Sequence, residues 1–255
     1  MYVDVDLPAR DLATRIAAVL DPVFAAVDDW AERVGGALAR LGDAHLPPTA
    51  AELDPLVHDL VAPALQEPDS LVTGAGLVAA PHFLADRPWH LAWWQSAGSG
   101  ELRRLAVETD PEADAFRDHT ALEWWRGPLR EGRSHVTGPY VDYLCTDDYT
   151  VTITTPVRFA GIMAAVVGAD LYVERLERVL LPVMEASGQP ATLVNASGRI
   201  IASADARLAT GALLRRDGFA AARDRAHEAS GPVVLDGATT LQACGDTSLL
   251  LVIGR

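Results

Sequence analysis

The chain has 255 residues, 49% of them hydrophobic, and carries 35 acidic against 21 basic residues for a formal charge of −14. All 21 basic residues are Arg; without Lys there is no Schiff-base chemistry and no P-loop lysine to meet a phosphate. An acidic chain with no basic cluster also argues against nucleic acid and anionic membrane as partners, and favours small cations.

The length supports a substantial core, as one large domain or two small ones. The N-terminus, Met1-Tyr2-Val3-Asp4-Val5-Asp6, lacks the basic-then-apolar layout of a secretory signal. No stretch reaches the roughly 20 apolar residues of a membrane span. A cytoplasmic location is expected. Cys145 and Cys244 lie far apart and in no CxxC arrangement, so two isolated buried thiols are expected rather than a disulfide.

In chain order, Leu12, Ile16, Val19, Val23, Val27, Trp30, Val34, Leu38 and Leu41 recur every three or four residues, one stripe of an amphipathic helix. Pro22 either kinks that helix or opens a second one capped by Asp21. Thr49 is the expected cap of a further helix over 52–60. Residues 71–80 read as a buried strand whose glycines allow close approach. Strands follow at 91–95 and 102–108, with a turn at Gly98-Ser99-Gly100, and helical texture over 114–125 ends at Gly127-Pro128. A hairpin over 140–157 turns at Thr146-Asp147-Asp148, and 161–169 has the apolar run of a central strand. A helix over 171–185 leads to Gly188-Gln189-Pro190, the best boundary in the chain. Beyond it lie a hairpin at 192–203, a helix over 219–229 and strands near 233–235, 239–243 and 248–253.

The chemistry concentrates in Glu123-Trp124-Trp125 and in Gly138-Pro139-Tyr140-Val141-Asp142. In extended backbone Tyr140 and Asp142 project to the same side. Adjacent helical residues point about 100° apart, so Trp124 and Trp125 cannot both fill one core face, and at least one lines something else. Ring faces with a carboxylate suit a protonated amine: quadrupole attraction plus a charge-assisted hydrogen bond. Asp170 falls where a strand gives way to a helix, an N-cap position from which a second oxygen could meet a ligand. Trp89, Trp93 and Trp94 form another aromatic cluster, expected in the core, from which one indole could close the pocket. His82, His90, His119 and His135 show no zinc spacing, so no metal site is expected. Asp28-Asp29 and Asp147-Asp148 read as solvated.

Trp124-Trp125, Gly138 to Asp142, Thr152-Ile153-Thr154-Thr155-Pro156-Val157 and Val166-Val167-Gly168-Ala169-Asp170-Leu171, in that order, resemble the double Cache family of sensor domains. The resemblance implies an α+β fold with a long N-terminal helix and two PAS-like modules with antiparallel sheets. It divides the chain into a helical region at 1–65, a larger ligand-binding module with connecting helix at 66–187, and a smaller module at 188–255. In amino-acid-binding members, an Arg and a Trp hold the ligand carboxylate, while Tyr and Asp residues hold its ammonium. Matched to this chain, the ammonium half falls on Tyr140, Asp142 and Asp170, and the aromatic pair on Trp124 and Trp125. The Arg position is Leu122 and a leading Tyr position is Arg117. The resemblance therefore implies an amine without an α-carboxylate. The expected site is Trp124, Trp125, Tyr140, Asp142 and Asp170, with no catalytic residues and no cofactor. Expected partners are an amine ligand, a homodimer through the N-terminal helix, and a signalling protein. The rival reading is an enzyme on a small amine or acyl substrate, with Asp142 or Asp170 as base and a histidine as acid.

Overall fold

The computed structural model describes residues 6–42, 47–97, 100–142, 148–229 and 231–254. Cys145, the turn at 146–147 and most of the turn at 98–100 lie outside them. The chain opens with α1 (Asp6–Gly42), continuous through Pro22, and α2 (Ala50–Gln66), whose Glu52 carboxylate accepts from the Thr49 N–H at 2.8 Å. Strands β1 (Val72–Ala79), β2 (Leu91–Ser96) and β3 (Leu102–Arg104) follow. A 3-10 turn (His119–Ala121) and α3 (Glu123–Glu131) come next. Then come β4 (His135–Val141), β5 (Tyr149–Phe159), β6 (Ile162–Tyr172) and α4 (Val173–Glu185).

These six strands form one antiparallel sheet in the order β3-β2-β1-β6-β5-β4. A second sheet is built from β7 (Ala191–Val194), β8 (Ile200–Ser203), β9 (Val233–Asp236), β10 (Thr239–Ala243) and β11 (Leu250–Ile253), in the order β8-β7-β11-β10-β9. Its own helix, α5 (Phe219–Glu228), packs Phe219, Ala222 and Ala226 against Leu241, Leu250 and Val252. The architecture is the expected α+β one, a long leading helix followed by two antiparallel sheets.

The first sheet is buried on both faces, and the period of two sorts its residues. Leu77, Trp94, Ile153, Val167 and Leu171 face α1 and α2 in the main core. Val78, Trp93 and Val166 face the other way, against Trp124, Trp125 and Leu105. That second face holds the candidate site.

Three boundaries differ from expectation. The strand expected over 102–108 ends at Arg104; farther on, the Glu108 carboxylate accepts the Thr109 and Asp110 N–H groups at 2.8 and 2.9 Å, a local side-chain alternative to strand pairing. The helix expected over 114–125 and ending at Gly127-Pro128 starts only at Glu123 and runs through Gly127-Pro128 to Glu131, so both indoles sit in its first turn. Pro128 has no N–H for the Trp124 carbonyl four residues back; the Thr154 hydroxyl donates to it instead, at 2.8 Å. Asp170 is no helix cap: it lies inside β6, and Tyr172 is the capping position of α4. Asp28 is exposed, as expected, and there accepts from the Ser134 and Thr155 hydroxyls at 2.7 Å each, tying α1 to the sheet.

Candidate functional site

The site grows from a pair of residues facing each other across the β5–β6 ladder. Thr152 is registered opposite Asp170, and its hydroxyl donates to Asp170 Oδ1 at 2.7 Å. The Tyr140 and Thr152 hydroxyl oxygens are 2.7 Å apart; since Thr152 spends its proton on Asp170, the Tyr140 O–H donates to Thr152. From β2, the Trp93 indole N–H donates to Asp170 Oδ2 at 2.9 Å. That indole fits because β1 and β6 carry glycine there. A Cβ at Gly74 would fall 2.9 Å from both Trp93 Nε1 and Asp170 Oδ2, and one at Gly168 would fall 3.3 Å from the indole ring. At β4 the register shifts between Thr137 and Tyr140, with Gly138 at a φ of 96°. The bulge turns Tyr140 toward Thr152.

Val78, Leu91, Trp93, Trp124, Tyr140, Asp142, Thr152 and Asp170 line a cavity of about 30 Å³. Asp142 follows β4, with its N–H donating to the Asp148 carbonyl at 3.0 Å. Both acids are buried, Asp142 at 5% and Asp170 at 6% exposure. Burial raises the Asp170 pKa most, the Asp142 charge adds to it, and the Thr152 and Trp93 hydrogen bonds only partly offset them, leaving it at about 7. The carboxyl is therefore poised to ionise when a positive charge arrives.

Four of the five expected residues, Trp124, Tyr140, Asp142 and Asp170, line this one cavity. Trp125 is buried but outside it, tilted against His119 with ring centroids 5.3 Å apart. This is the consequence of the 100° step between neighbours on α3. Two contributors were missed as site residues. Trp93 was signalled by its alternation with Leu91, which also lines the cavity, and Thr152 only by its place across from Asp170. Arg117 is occupied by the Asp114 and Phe116 carbonyls at 2.9 and 2.8 Å. Among the described residues no group of three His, Cys, Asp or Glu side chains could hold a metal ion.

No protein-family profile matches the chain. Solved structures do. A structure titled "Methyl-accepting Chemotaxis protein X" superposes with a TM-score of 0.63 at 17% identity, covering 98% of this chain and 95% of that one. The periplasmic sensory domain of the Campylobacter jejuni chemoreceptor Tlp1 gives 0.61 at 11% identity, over 96% and 91%. The ligand-binding domain of the Pseudomonas fluorescens chemoreceptor CtaA, in complex with L-leucine, gives 0.53 at 18% identity, over 97% and 91%. The chain thus has the α+β, two-sheet fold of chemoreceptor sensor domains, the architecture implied by its resemblance to double Cache proteins.

Proposed function

We propose that the chain is a small-molecule sensor that captures a small cationic amine in its first module, without turning it over. The observation that carries this reading is the convergence of two buried carboxylates, Asp142 and Asp170, on one cavity walled by Trp93 and Trp124. Two like charges buried side by side are unfavourable to each other and favourable to a cation between them. A desolvated cation–π contact contributes about 2 kcal/mol and a charge-assisted hydrogen bond about 1.5–3. Several such contacts meet the about 8 kcal/mol of a micromolar ligand once association costs are subtracted. The CtaA structure contains an amino acid. Here Leu122 stands where the resemblance places the carboxylate-binding Arg, and this favours an amine lacking the α-carboxylate.

Thermal shift against amines, amino acids and carboxylates tests the reading. Amines are expected to raise the Tm, and Asp170→Asn to abolish the response. Equal stabilisation by amino acids, or consumption of the amine, overturns it. The output is proposed to pass through a homodimer along α1 or a signalling protein, and the location is proposed to be cytoplasmic. Sedimentation with and without amine and cell fractionation check these two points. A monomer under both conditions removes the dimer, and recovery outside the cytoplasm removes the location.

A further inference from the structure

The amine cavity is too small for most amines. At about 30 Å³ it accepts about two water-sized groups, each needing roughly 10–15 Å³, which is an ammonium and one methylene. Anything more must extend elsewhere. Next to it lies a second cavity of about 280 Å³, close to the lower end of small-molecule pockets at about 300 Å³. The two share Leu91, a half-buried side chain that lines both. They are also joined through a stack: His119, which lines the larger cavity, lies nearly parallel to Trp124, which lines the smaller, with centroids 6.0 Å apart at 23°.

The larger cavity is aromatic on one side. Trp89 meets Phe116 edge-to-face at 4.8 Å and 76°, and His119 at 4.9 Å and 79°. Another ring joins such a cluster in the same geometry. His119 is 7% exposed, and its Nε2 is shut off from solvent with no hydrogen-bond partner. Burial holds its pKa below the usual histidine value, against a hydrogen bond to the Ala79 backbone, so the ring is neutral. With one nitrogen engaged by a carbonyl, the other is an acceptor lacking a donor.

We propose that the ligand is an arylalkylamine: its ammonium sits between Asp142 and Asp170, its chain passes Leu91, and its ring lies against Trp89, Phe116 and His119. This rests on the amine reading of the smaller cavity. Calorimetry with ethylamine and 2-phenylethylamine tests both levels separately. The wild-type protein is expected to bind 2-phenylethylamine at least tenfold more tightly than ethylamine. Ala106→Trp, on an exposed position that lines the larger cavity and not the smaller one, is expected to remove the whole gain from the ring and leave ethylamine affinity unchanged. Ethylamine binding with no gain from the ring overturns this inference and leaves the amine reading standing. Absence of binding by both overturns the amine reading and this one with it.

Discussion

Asp170 sits mid-strand with one oxygen on an indole N–H and the other on a hydroxyl, yet burial still holds its pKa at about 7. Because the folded value lies above the unfolded one of 3.8, this group's contribution to stability is full below about pH 4. It is lost as pH rises through about 7, by on the order of 4 kcal/mol. Asp170→Asn keeps the hydrogen bonds, with its carbonyl accepting from Trp93 and its amide donating to Thr152, and removes the charge. It is expected to raise the Tm of the ligand-free protein at pH 8 by at least about 2 °C, with the advantage shrinking toward pH 5, as calorimetric scans across that range would show. A variant that gains stability while losing amine binding marks a residue kept for its ligand. The same titration governs binding. Below pH 7 Asp170 must release its proton to the solvent before it can pair with an ammonium, so amine affinity should weaken up to about tenfold per pH unit there. It should level off above 7, and titration calorimetry in buffers of different ionisation enthalpy would register the released proton. Tyr140, Asp142 and Asp170 could be named from sequence because acids and phenols among apolar neighbours stand out. Thr152 could not, because a strand threonine looks the same whether or not it faces a carboxylate.

At the scale of elements, α3 holds the indole wall by substituting for what Pro128 lacks. Thr154→Val removes the hydroxyl that donates to the Trp124 carbonyl while keeping the shape of the side chain. It is expected to cost about 1–3 kcal/mol in chemical denaturation and to weaken amine binding by shifting Trp124. The neighbouring Gly127 is also required by packing, since a Cβ there would fall 2.3 Å from the His135 ring. His135 in turn is buried between Glu131, 3.0 Å from Nδ1, and Glu123, 3.5 Å from Nε2. Burial alone would discharge this ring, but the two flanking acids prevail and raise its pKa to about 9. It pins the end of α3 to β4. The spacing of Leu12 through Leu41 and the alternation in 152–157 disclosed their elements, since each lies on a regular period. The extent of α3 was not legible: Gly127-Pro128 reads locally as a stop, and only Thr154 and His135, from other elements, make it a continuation.

At the scale of the molecule, α1 packs along β5 and β6 and reaches β10 of the second sheet. A second link lies close to the site. The fully buried Asn195 donates to the Gly138 carbonyl at 2.9 Å, two residues before Tyr140, while its own carbonyl accepts from Ser197 and Arg199 in the turn that follows β7. Asn195→Asp retains the turn but sets a carboxylate against the Gly138 carbonyl. Loss of about 1–3 kcal/mol in denaturant unfolding is expected, with a smaller amine-induced Tm shift if the bulge beside Tyr140 moves. An unchanged midpoint would show that the two sheets do not depend on this contact. By itself the amino-acid order determined the class of fold and the sites of interest, because hydrophobic period, turn residues and isolated polar groups are local properties of the chain. Which indole faces the acids, how little room they leave and that His119 is stranded beside a larger cavity were decided only by the folded molecule. Volume and hydrogen-bond satisfaction depend on residues far apart in sequence, and they acquire values only when the strands are laid side by side.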